Sequence, residues 1–200
     1  MKRAATVGRD ERLRLFLALE LPEDVTSALE AWRMRHLRLV RPADTLHVTL
    51  AFLGHRPRSE IDGVLGALRE SAAETAPFRL EPVRYRETRS VGMLVLDDAS
   101  GEATRLATRL QGRLEKLRVY RPEARPWLPH VTVVRFRKRP GLAPPLPEIE
   151  PFVPSGAAAF LSRLHPSGAR YEVIESCSLD AVSNKTGPEA RPVEDVESGG

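Results

Sequence analysis

Apolar positions along this chain fall into short dense runs that alternate with longer stretches of helical period. Residues 13–21, LRLFLALEL, form one such run and read as a buried strand. Pro22 then opens a helix, where its missing N–H is not needed, with Glu23 and Asp24 at the positive end of the dipole. Val25, Leu29, Trp32 and His36 recur there at helical spacing. Residues 45–53, TLHVTLAFL, give a second strand closed by Gly54, and residues 59–73 return to the helical period through Ile61, Leu65 and Leu68.

The second half has the same rhythm. Residues 78–86 and 91–98 read as strands, and residues 102–117 as a helix carrying Leu106, Leu110, Leu114 and Leu117. A proline-rich loop, residues 120–129, delivers the chain into the strand HVTVVRF. The prolines of residues 138–151 remove donors and fix φ, so no regular element is expected there. Two more strands, residues 158–164 and 171–179, are joined by the turn HPSG. Three units follow: a basic extension over residues 1–11, one domain over 12–183, and a disordered polar tail over 184–200. The order of elements predicts an α+β architecture of two similar lobes with mainly antiparallel strands.

Composition narrows the class. At 200 residues, 42% hydrophobic and 29% charged, the chain is that of a soluble globular protein with an ample core. No apolar run approaches the roughly 20 residues of a membrane span, and the basic N-terminus has no apolar stretch behind it, so neither a membrane nor a secretory signal is expected. The single cysteine, Cys177, allows no intramolecular disulfide, and a cytoplasmic location fits. The net charge of +4 suits an anionic ligand without being a dedicated nucleic-acid arm. Only Lys2, Lys116, Lys138 and Lys185 are lysines; the remaining basic residues are arginines, whose planar fork suits phosphate.

The chemistry lies in a phrase that occurs twice. LHVTL places His47 and Thr49 in the same relation as PHVTV places His130 and Thr132, in a chain with five histidines. Alternation on a strand puts His47 and Thr49 on one face and Val48, Leu50 and Phe52 on the core face; His130 and Thr132 likewise oppose Val131 and Val133. If the lobes face each other, two imidazoles and two hydroxyls converge. Such a quartet can divide acid and base work around one phosphorus, the hydroxyls holding non-bridging oxygens. A metal site fits poorly: neither histidine has ligand spacing, and Asp44 is a lone carboxylate. Neither Cys177 nor Ser162 sits in a nucleophile turn, and there is no Walker loop or dinucleotide fingerprint.

These landmarks together resemble the 2H phosphoesterases, in particular their bacterial and archaeal RNA 2′,3′-cyclic phosphodiesterase branch, also called 2′-5′ RNA ligase-like proteins. RLFLALELP is similar to the opening strand and helix entry of that family, RPADTLHVTLAFLG and PHVTVVR to its two motifs, and FLSRLHPSGARYEVIESCSL to its closing hairpin. The resemblance implies a bilobal, pseudo-twofold fold with a cleft between two antiparallel sheets. It implies hydrolysis of RNA-terminal or nucleoside 2′,3′-cyclic phosphates to the 2′-phosphate, with no metal or other cofactor. His47 would be the general acid, His130 the general base, and Thr49 and Thr132 the phosphate holders; the acid and base labels can exchange in the reverse direction. Arg135 matches a phosphate-approaching residue of the family, yet it stands five positions after His130, on the opposite face unless a bulge or the strand end intervenes.

Two other readings stay open: a binding module of the same fold that holds a nucleotide or RNA end without turnover, and 2′-5′ joining of RNA ends. Arg137, Lys138 and Arg139 either guide an RNA backbone or are solvated loop charges. Trp127 either stacks a base or packs its loop. Phe16, Phe52, Tyr85 and Tyr120 read as core or cleft wall, Cys177 as a small apolar strand residue, and His36, His55 and His165 as structural or exposed. No protein partner is implied, and a monomer is expected.

Overall fold

The computed structural model describes residues 12–165 and 168–179. The expected extension (1–11), the tail (184–200) and the middle of the HPSG turn lie outside these residues. Chain order is β1 (Arg12–Glu20), α1 (Glu23–His36), β2 (Arg41–Pro42), β3 (His47–Pro57), α2 (Ile61–Ala73), β4 (Glu81–Glu87), β5 (Val91–Asp97), α3 (Glu102–Lys116), β6 (His130–Arg135), β7 (Gly156–His165) and β8 (Gly168–Cys177). A 3₁₀ turn at Arg58–Glu60 leads into α2. Residues 138–151 form no helix or strand, as their prolines require. The two-residue β2, paired with β6, carries no periodic signal, and the sequence does not predict it.

Every strand pairing is antiparallel, in the order β4-β5-β6-β3-β1-β7-β8. The two halves are thus one sheet rather than two, joined where Val48 of β3 meets Val131 of β6. These are the middle residues of the two His-Val-Thr phrases, so the local symmetry of the sequence becomes the seam of the fold.

One face of this sheet is covered. Leu15, Leu17 and Leu19 of β1, Val48 of β3, Leu94 and Leu96 of β5 and Val131 of β6 share a buried cluster with Leu29 and Trp32 of α1, Val64 and Leu68 of α2, and Leu106, Leu110 and Leu114 of α3. Ion pairs from Arg113 to Glu70 and Glu74, and from Arg109 to Glu74, tie α2 and its C-terminal end to α3, and Arg109 also pairs with Glu102 within α3.

Candidate active site

The face of the sheet turned away from the helices is where both phrases present their polar residues. The antiparallel sense at Val48–Val131 sets Thr132 beside His47 and His130 beside Thr49. All four side chains are half-buried, whereas Val48 and Val131 are fully buried on the other face. The structure therefore brings together the quartet expected from alternation.

Arg135 joins them through a bulge. β6 pairs with β5 as His130–Val95, Val131–Leu94 and Thr132–Met93, then slips so that Val134 faces Gly92 and Arg135 faces Val91. Val133 is the extra residue. Met93 and Val91 share a face, so Thr132 and Arg135 do too, although strict alternation would separate them. Arg135 is close enough for its charge to act on His47. Across β2, Arg41 stands opposite Arg135 and reaches Asp44 at 3.5 Å. The bulge satisfies its own backbone: Val133 C=O accepts the Ala43 amide at 3.1 Å.

β3 carries two further slips against β1, at Leu50 and Leu53. They correct two expectations. Phe52 is not on the core face; it pairs with Phe16, is 52% exposed, and has Arg14 5.1 Å above its ring. Gly54, at φ 67°, does not end the strand but serves the second slip, and pairing runs on to Pro57. His55 accordingly lies within β3 rather than at a loop start, and it is exposed, as is His36. The side chain of His165 lies outside the described set.

The two imidazoles are held differently. His130 Nδ1 is 2.8 Å from Leu128 C=O, an acceptor only, so Nδ1 carries the proton and Nε2 faces the site. His47 Nδ1 is 3.2 Å from Thr45 Oγ1, which can donate or accept. Phe16 lies 4.8 Å from the His47 ring, with Phe160 and Tyr171 at 6.0 and 6.2 Å. Burial, then the charges of Arg135 and His130, lower the His47 pKa from 6.5 to about 4. Of this aromatic wall, only Phe16 is a candidate from the sequence; Phe160 and Tyr171 sit on distant strands, and no local pattern points from them to His47.

The remaining candidates separate. Trp127 donates its indole N–H to Thr49 C=O at 2.9 Å and packs against the core, which fixes the loop entering β6. Arg139 is drawn to the carboxylate of Glu87, while Arg137 and Lys138 lie beyond the end of β6. Tyr85 packs on the core side, and Cys177 is half-buried in β8. Among the described residues, no three His, Cys, Asp or Glu side chains are placed to hold a metal ion, and no helix is long and apolar enough to cross a membrane.

A model of the 2′-5′ RNA ligase superfamily matches residues 21–160. An RNA 2′,3′-cyclic phosphodiesterase of Thermus thermophilus is 34% identical over 197 residues, covering 90% of this chain and 98% of the relative. A crystal structure from Thermus thermophilus superposes with a TM-score of 0.70 at 32% identity, over 84% of this chain and 98% of the other. Escherichia coli LigT in complex with 3′-AMP gives a TM-score of 0.73 over 83% and 97% of the two chains; at 22% identity this likeness shows the fold alone. By model and relative together, the chain belongs to the 2′-5′ RNA ligase superfamily of 2H phosphoesterases.

Proposed function

We propose that this protein hydrolyses ribose 2′,3′-cyclic phosphates, on RNA ends or nucleosides, to the 2′-phosphate by paired-histidine acid–base catalysis without a metal. The observation that carries the reading is the seam itself: antiparallel pairing at Val48–Val131 presents two imidazoles, two hydroxyls and the Arg135 guanidinium on one face. The naming of the 34%-identical relative as an RNA 2′,3′-cyclic phosphodiesterase supports the same substrate class.

In this mechanism His130 Nε2 takes a proton from water as the water oxygen bonds to phosphorus. The P–O3′ bond breaks, and His47 delivers a proton to the departing 3′ oxygen. Thr49, Thr132 and Arg135 hold the non-bridging oxygens as charge redistributes. The products are a 2′-phosphate and a 3′-hydroxyl, and proton exchange with solvent resets the histidines. Since the free protein keeps His47 neutral, His47 acquires its proton with the substrate, whose negative charge offsets the field of Arg135.

The lowered pKa of His47 favours a second assignment, in which His47 is the base and His130 the acid. A p-nitrophenyl phosphodiester separates the two, because its leaving group departs without a proton. Whichever alanine variant retains turnover on that substrate has lost the acid.

The first test is turnover of a nucleoside 2′,3′-cyclic phosphate in EDTA. The parent should release the 2′-phosphate, and His47→Ala and His130→Ala should each lose roughly 10²- to 10⁴-fold in rate while remaining folded. A parent inactive on both nucleotide and oligonucleotide cyclic phosphates would move the chain to the binding-module reading. Activity abolished by EDTA and restored by a metal would overturn the metal-free mechanism.

A further inference from the structure

The chemistry above leaves β4 unused. This strand forms one edge of the sheet and carries Arg84 and Arg86. Its register with β5 also slips: Pro82 faces Leu96, but Arg84 faces Val95, leaving Val83 as the extra residue. Pro82 and Leu96 are buried on the core side, so strict alternation from Pro82 would turn Arg84 and Arg86 inward. The slip turns Tyr85 to the core and both arginines to the other face.

That face is the one used by the quartet. Arg84 lies in line with Val95 and His130, and Arg86 in line with Met93 and Thr132. Cross-strand neighbours share a face, and two strand spacings separate β4 from β6 by about 10 Å. Both arginines are exposed, and among the described residues neither is paired with a carboxylate. Glu87, next along the strand, is turned away to take Arg139 and the amides of Gly141 and Leu142. Glu81 and Asp97 stand opposite each other beyond Arg84 and mark where the basic strip ends.

The other flank is unlike this one. Beyond His47 and Thr49, Phe52, Phe16 and Phe160 line up across β3, β1 and β7, with Phe16 and Phe160 stacked 4.9 Å apart. One side of the quartet is therefore a wall of aromatic rings with Arg14 set over Phe52, while the other offers two neighbouring arginines. A polyanion attached to the reacting phosphate meets two adjacent arginines where it crosses β5 onto β4.

We propose that Arg84 and Arg86 bind backbone phosphates upstream of the reacting end, so that this protein selects a polynucleotide 3′ end over a free cyclic mononucleotide. The inference rests on the hydrolytic reading for its reacting group, but the binding surface can be tested without turnover.

The experiment has two arms, each with the parent, Arg84→Ala/Arg86→Ala and Arg84→Lys/Arg86→Lys. In the first, anisotropy of a 5′-labelled single-stranded RNA bearing a 3′-terminal phosphate reports binding across a salt series. The alanine pair should bind roughly tenfold more weakly, with a log K against log salt slope shallower by about 1.4, two contacts at about 0.7 each. The lysine pair should keep most of the affinity and the parent slope, because an ammonium is still a phosphate-binding charge. In the second arm, kcat/KM on an oligonucleotide 2′,3′-cyclic phosphate should fall through KM in the alanine pair, with mononucleotide turnover unchanged. Unaltered affinity and slope would overturn the proposal and leave the arginines as guards of an exposed sheet edge. Equal losses on both substrates would also overturn it, as a general effect on the site. If the parent turns over neither substrate, the hydrolytic reading fails while the anisotropy arm still decides the role of the arginines.

Discussion

The His47 imidazole has Phe16 packed against it at 4.8 Å and the Arg135 charge within reach, and both oppose a proton on the ring. Its titration is therefore the most direct report on the site. In the free protein its ring resonances should titrate near pH 4 rather than 6.5. Arg135→Gln removes one positive neighbour and should move the midpoint upward, and inorganic phosphate should do so in the parent by adding a negative one. The same substitution should lower kcat/KM about 10²-fold, the usual scale for one donor to a developing charge. A His47 that titrates normally in the parent, or whose midpoint ignores Arg135→Gln, would show that the guanidinium does not act on the ring. Sequence periodicity is sufficient to put His47 with Thr49 and His130 with Thr132. It is not sufficient for Arg135, because the deciding event is the slip at Val133, set by a partner strand some forty residues away.

At the level of elements, the slips at Leu50, Leu53, Val83 and Val133 explain where reading by alternation fails. A bulge is a two-against-one pairing, so it belongs to two strands at once, and one strand's sequence does not declare it. Helices are legible nearly to their ends, since capping and 3.6-residue spacing are local; α3, expected over 102–117, spans Glu102–Lys116. Alternation misplaces Phe52 in the core and Gly54 at a strand end for the same missing reason, the displaced register against β1. Each slip at β3 leaves a carbonyl to satisfy. Arg56 Nε donates to Leu53 C=O at 3.0 Å, and Gln111 of α3 donates its side-chain amide to Leu50 C=O at 2.8 Å. Gln111→Leu removes that donor in a partly buried place and should cost about 1–3 kcal/mol in urea unfolding. The carbonyl lies one residue from Thr49, so turnover of a cyclic phosphate should fall as well. A variant with the parent's urea midpoint would show that solvent serves Leu50 equally well.

At the scale of the molecule, the two halves expected as separate sheets are one sheet over one continuous core, so unfolding should be a single transition. The pH dependence of that transition follows from groups spread across the whole fold. Burial alone would raise the carboxyls of Glu87 and Glu102. The Leu142 amide, Arg139 and the Gly141 amide outweigh it for Glu87, and Arg105 and Arg109 for Glu102, leaving both below the ordinary 4.5. Their stabilisation is present above that value and is lost as pH falls through the lowered folded pKa. His47 acts earlier: between 6.5 and about 4 the unfolded chain binds a proton that the folded ring refuses, so stability falls with pH across that window. On the alkaline side, burial and the neighbouring Glu175 raise the Cys177 thiol above 9.0, and burial and Glu87 push the Tyr85 hydroxyl up to about 12. Those contributions are present below the unfolded values and disappear as pH rises through the folded ones. The urea midpoint should therefore be level from about pH 6.5 to 9 and fall on both sides, with two components on the acid limb. His47→Gln has no proton to bind there, so it should flatten the upper component and leave the carboxylate component below pH 4.5 in place. An acid limb identical in parent and variant would mean that His47 is as free to protonate in the folded protein as in the unfolded chain, and that the aromatic wall and Arg135 do not desolvate and charge its surroundings.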